Sequence, residues 1–209
     1  MDFASPHGFW VTFPMIQYEP MHAPHSLSAA IKDYMSCHKR DADKELRWFE
    51  IQPSFDKALS FAAYAKGPSG KKFSHQHRIP LAVLEESYGR LKSCQRELLA
   101  ASSFEELHQI ISDQIRGIRG VGLLLVYDTA LRLGANLKLK PSVVFLHAGT
   151  REGARRLGLN AARAFIPPSE FPPALRKLPA RQIEDILCIY KNWFGDSDTI
   201  ITRAPICYK

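Results

Sequence analysis

Four stretches carry side chains whose type and spacing suit chemistry. Ser-His-Gln-His-Arg places His75 and His77 two apart beside Arg78, which suits two metal ligands or an acid that handles phosphate. His147 is a lone titratable group in the apolar run Val-Val-Phe-Leu-His-Ala-Gly. Asp128 stands in a helical pattern four residues before Arg132, so it offers either a carboxylate catalyst or an i,i+4 ion pair on an exposed strip. Near the C-terminus Glu184, Asp185, Cys188 and Lys191 share one segment, where an amphipathic end helix accounts for all four. No nucleophile stands beside an assignable base, and the spacing implies neither a metal nor any other cofactor.

The elements that must position these groups read as helices. A helix is expected from near Ser26 or Ser28 toward His38, and the mixed run after it supports no assignment. Ser54 caps a short helix that ends before Gly67, and His75 to Arg78 fall in the loop that follows. Pro80 opens one long helix through Leu98. Ser103 and Glu106 form a capping box, and behind it Phe104, Leu107, Ile111, Ile115 and Ile118 trace one face. A second helix follows Gly122 and is expected to stop at Gly134. After Pro141 come a short apolar run, a helix from Thr150 to Leu159, a proline-rich bend and a last amphipathic helix. The fold class is mainly α: a helical bundle, with residues 1–25 as an irregular aromatic arm and 26–209 as one domain.

Gly120-Val121-Gly122 joins the two best-defined helices. Two glycines permit a sharp turn, the valine packs inward, and the backbone N–H groups at the start of the next helix are left without partners. Such amides at the positive end of a helix suit a phosphate oxygen. Between Ile111 and Arg156 eight basic side chains face three acidic ones, which concentrates five of the chain's seven net positive charges here. Arg116, Arg119, Lys138, Lys140 and Arg151 are the expected phosphate partners.

The segment from Ser103 to Leu159, about a quarter of the chain, resembles the helix-hairpin-helix DNA glycosylase superfamily. Ile-x-x-Ile-x-Gly-Val-Gly, Pro-x-Val-x-x-x-His and Arg-Arg-Leu-Gly-Leu carry the likeness. The resemblance implies a helix-hairpin-helix at about 104–134 that grips duplex DNA with little regard to sequence. Such glycosylases use an aspartate after the hairpin, and many add a lysine early in the second helix. Here those places read Val144-Phe145-Leu146-His147 and Leu123-Leu124-Leu125-Val126, so neither residue carries over. The resemblance then implies a DNA-binding relative, or an enzyme on modified bases with relocated chemistry at His147 or Asp128. A protein-interaction or small-ligand role with a purely structural hairpin is the remaining reading.

Composition sets outer bounds. With 45% apolar and 23% charged residues the chain is globular in type, and its net charge of +7 favours an anionic partner. No apolar run is long enough to span a bilayer, and the first residues do not read as a secretory signal. The four cysteines are scattered without a C-x-x-C pair, so reduced thiols and a cytoplasmic place (nucleoid-associated if bacterial) are expected.

Overall fold

A computed structural model describes residues 26–194; the aromatic arm at 1–25 lies outside the described residues. The protein is mainly helical. Ser26 caps α1 (Leu27–Asp33) by accepting the Ala29 N–H at 3.2 Å. The helix does not stop near His38. It passes through a π-helical turn, Tyr34–His38, into α2 (Lys39–Glu50). The sequence hides α2 because its polar residues pair along the helix surface, as Lys39 with Asp43 at 2.5 Å and Arg47 with Glu50 at 2.9 Å. Only a narrow apolar stripe around Phe49 faces inward.

Ser54 caps α3 (Phe55–Ala63) as expected. The long helix after Pro80 is two helices, α4 (Leu81–Ser93) and α5 (Gln95–Ala100). Ser93 Oγ donates to the Arg90 carbonyl at 2.7 Å and Cys94 Sγ to that of Leu91 at 3.4 Å, side-chain bonds that compete with helix continuation. Ser103 caps α6 (Phe104–Ile115), accepting the Glu106 N–H at 3.1 Å. The Glu106 carboxylate accepts from the backbone and hydroxyl of Ser102, one residue earlier than a capping box requires.

α7 runs from Leu123 to Leu137, beyond the stop expected at Gly134. Gly134 is there for closeness. A Cβ on it would stand 2.9 Å from the Leu139 carbonyl oxygen and 3.1 Å from the Phe104 ring. Lys138 instead ends the helix, in the left-handed conformation at φ 62°. The apolar run after Pro141 forms a short strand, β1 (Val144–Phe145), antiparallel to β2 (Phe165–Ile166). α8 (Ala148–Arg156) and α9 (Ala180–Ile189) complete the fold.

Two cores result. One gathers α2 to α7 around Phe49, Leu59, Leu107, Ile111, Val126 and Leu133. The other gathers α1, β1, α8, β2 and α9 around Tyr34, Val144, Phe171, Ile183, Ile186 and Leu187. α8 and α9 touch backbone to backbone, because a Cβ on Gly153 would fall 2.5 Å from the Leu187 carbonyl oxygen. No described helix is long and apolar enough to cross a membrane.

Candidate functional site

The α6–α7 turn is exposed at Arg119, Gly120 and Gly122, while Ile118 and Val121 are buried. The Val121 N–H closes the turn on the Ile118 carbonyl at 3.0 Å, and Gly120 bends the chain at φ +103°, which other residues adopt only under strain. Gly122 caps α7 without a side chain, and the N–H groups of Gly122, Leu123 and Leu124 find no acceptor among the described residues. Three amides thus lie without a protein partner at the positive end of a fifteen-residue helix.

The expected basic helpers divide. Arg119 is exposed at the turn, and Arg116 beside it donates to the Val121 carbonyl at 3.1 Å, bracing the bend. Lys138 and Lys140 do not belong here. They follow the opposite end of α7, roughly 22 Å away at ~1.5 Å per residue, where they line a 650 Å³ cleft with Asp43, Glu50 and Arg181. Sequence proximity misled because a straight helix separates its two ends. Arg151 is committed to structure: its guanidinium donates to the carbonyls of Leu146, Ala161 and Arg163 and ties the 159–164 loop to β1.

Beside the turn opens a pocket of about 310 Å³ whose wall begins with Leu123, the first residue of α7. Aromatic rings line it. His108 lies over Phe145 with centroids 4.1 Å apart, and Phe165 and Tyr127 stand 6.2 and 5.9 Å from the same ring. Phe165 remains 43% exposed at the mouth. Burial pushes the His108 imidazole down to about 4, against a weaker opposing pull from Glu105. His108 is therefore neutral at pH 7.

His147 is also in the pocket wall, 3% exposed. It caps α8, with its backbone N–H donating to Thr150 Oγ1 at 2.8 Å, and its Nε2 meets Glu184 Oε1 of α9 in a short hydrogen bond. Burial lowers His147 to about 4, while Asp128, near enough to favour the imidazolium, only partly opposes it. Burial and the neighbouring Asp185 carboxylate raise Glu184 well above the usual range. Both shifts favour the uncharged forms of the pair.

Behind it runs a polar seam between the two cores. The Tyr34 hydroxyl donates to Asp185 Oδ2 at 2.5 Å, Arg181 reaches the same oxygen at 2.9 Å, and Arg181 also binds Asp43. The π-helical turn carries Tyr34 into this contact. On the other side Asp128 Oδ2 accepts from Gln76 at 2.8 Å and lies 2.9 Å from His75 Nε2. Arg132 is 2% exposed, so the exposed Asp128–Arg132 strip does not exist. Its guanidinium donates to Gln76 at 2.9 Å and Glu45 at 3.0 Å, stands 3.9 Å from Asp128, and stacks 4.0 Å from the Phe73 ring centroid.

Of the candidate residues, His75, Asp128 and His147 therefore approach one another, and His147 alone of these lines the aromatic pocket. His77 turns back to the Ser74 carbonyl and Arg78 is exposed, so the loop pair of histidines does not converge on a shared ligand. Cys94 and Cys188 are free thiols, whereas Cys37 is disulfide-bonded, contrary to the reading of scattered cysteines as reduced, because spacing along the chain does not fix spacing in the fold. Glu184 and Asp185, which the sequence explained as part of an amphipathic end helix, carry the site's polarity together with Tyr127 and Tyr34, which the sequence did not single out. One signal existed: Glu184 occupies a stripe position between Ala180 and Leu187, where an end helix should be apolar.

Comparison with protein-family models, curated proteins and solved structures finds no match to this chain. The functional reading stands on the residues and their arrangement.

Proposed function

We propose that this protein binds nucleic acid, with duplex DNA the favoured partner, through a helix-hairpin-helix turn at Gly120–Gly122. The three unpartnered amides donate to the oxygens of a backbone phosphate, and Arg119 adds charge without reading sequence. The observation that carries this reading is a juxtaposition: Leu123 follows the amide turn directly and also lines the aromatic pocket. A phosphodiester held at the turn brings its own nucleotide to a cavity with stacking faces, a fit for a base turned out of the helix.

Fluorescence anisotropy with a short labelled duplex tests it, using Gly122→Val. Gly122 has an ordinary φ, and a Cβ there meets nothing within 4 Å, so the valine crowds the ligand and spares the fold. Binding should weaken at least tenfold while the melting temperature holds. Unchanged affinity would remove the turn from the interface.

A second reading is favoured by the position of His147 and Glu184 in and behind the pocket wall. It makes the protein a glycosidic hydrolase, in which water held at this pair attacks the sugar carbon, the carbon–nitrogen bond breaks with its electrons going to the base, and the water's proton passes through the pair to the departing base. Base release from a modified duplex, lost in His147→Ala, is its measurement. Asp128 is a weaker candidate, being tied to His75 and Gln76 outside the pocket wall.

A further inference from the structure

The residues around His147 point to a function that neither reading above requires. We infer that the imidazole of His147, the carboxylate of Glu184 and the thiol of Cys188 form a binding site for one zinc-class divalent metal ion. Their ligand atoms all lie within 4.8 Å of one another. Glu184 and Cys188 are one turn apart on α9, and His147 is delivered by the N-terminus of α8, which lies against that helix. The set has one nitrogen, one oxygen and one sulfur donor, a borderline-soft combination that suits Zn²⁺ better than Mg²⁺ or Ca²⁺.

A second observation is independent of these distances. Gly149 flanks the cluster, and a Cβ there would sit 2.7 Å from Cys188 Sγ and 3.6 Å from His147 Cε1. Absence of a side chain at 149 lets the Cys188 thiol lie against the first turn of α8, close to the His147 ring. A third concerns charge. Glu184 and Asp185 are adjacent acids on the buried seam, with Asp128 close enough to act on both, and Arg181 answers them from one side. A divalent cation beside Glu184 would offset the remaining negative potential.

Tetrahedral zinc with bonds of ~2.0–2.3 Å sets its donor atoms roughly 3.3–3.8 Å apart. Loading therefore parts His147 from Glu184 and draws the farther donor in by about 1–1.5 Å, with the thiol proton and the proton held between His147 and Glu184 both released to solvent. Three protein ligands leave a fourth position. That position is left for water; of the three donors His147 alone lines the aromatic pocket, and Cys188 is only partly buried. With the ion in place His147 is a ligand, not a base, and the ion polarises the water.

The test uses the full chain, stripped with a chelator and dialysed against Zn²⁺ or, separately, Co²⁺. One Zn²⁺ per chain should survive gel filtration, and the Co²⁺ form should show a thiolate-to-metal charge-transfer band. Cys188→Ser should abolish the band and weaken Zn²⁺ binding about 100-fold or more, while Cys94→Ser, at a buried thiol in the other core, should leave both intact. Glu184→Gln keeps the volume and a hydrogen bond to His147, and serves as a second variant if Cys188→Ser melts early in chelator; it too should weaken binding. Metal content well below one per chain, or a band that persists in Cys188→Ser, would overturn the assignment. Neither readout depends on nucleic acid, so failure here and failure of the binding proposal are separate results.

Discussion

One substitution, glycine to alanine within a helix, should change stability in opposite directions at two places. Gly89 is exposed on α4, and a Cβ there meets nothing within 4 Å. Gly89→Ala therefore gains only helix propensity, about 1 kcal/mol. Gly153 on α8 has the same propensity to gain, but its Cβ would fall 2.5 Å from the Leu187 carbonyl oxygen and 3.0 Å from the Leu187 carbonyl carbon. Both atoms are backbone, so no rotamer change relieves the overlap. The helices must separate by roughly 0.7–1 Å to restore van der Waals contact. Forcing extra volume into a packed contact costs about 1–3 kcal/mol, and more where backbone must move, which outweighs the propensity gain. Gly153→Ala should lower the melting temperature by up to about 8 °C and Gly89→Ala should raise it by about 2–4 °C. Circular dichroism melts run side by side measure both. Because α8 also carries His147, histidine NMR of Gly153→Ala should show the His147–Glu184 contact loosened. If Gly153→Ala is as stable as Gly89→Ala, the close α8–α9 packing that positions the site is wrong.

Other outcomes follow from the same geometry. Arg132→Met removes the shared partner of Glu45 and Gln76 and the cation over Phe73; it should cost about 3 kcal/mol, and adding Asp128→Asn should recover part of that loss in a double-mutant cycle read by urea unfolding. The buried His108 titrates near 4 when folded and near 6.5 when unfolded, so between those values only the unfolded chain binds the proton and stability falls as pH is lowered. His108→Gln should abolish up to about 3 kcal/mol of that acid sensitivity, less what solvent at the pocket mouth removes; parallel stability curves for variant and parent would contradict the burial. Ser103→Ala should cost about 1 kcal/mol through loss of the α6 cap, a shift visible in thermal melts.

How much the sequence disclosed depended on whether a signal was local. The caps at Ser26, Ser54 and Ser103, the buried face of α6 and the apolar stripe of the last helix were all legible, because each is set by neighbours within a few residues. Gly134 was misread as a stop because glycine signals either a left-handed end or a close approach. Only the position of Phe104 and Leu139 decides between them. Lys138, a non-glycine in the left-handed region, hid the true end. At the site, the turn and His147 announced themselves through glycine and an isolated polar residue. Glu184 and Asp185 were visible only as acids that an amphipathic end helix accounts for, since only the packing of α9 into the middle of the fold distinguishes a buried acid from a solvated one. The grouping of Lys138 and Lys140 with the turn failed because charge counted along the chain ignores helix length.

Amide chemical shifts of ¹⁵N-labelled protein, followed as a short DNA duplex is added, go straight to the phosphate grip. Saturable shifts should be largest at Gly122, Leu123 and Leu124, with smaller ones at Arg119 and Gly120. A duplex that binds while those amides stay still, and that instead shifts residues lining the Lys138–Lys140 cleft at the far end of α7, would contradict the account.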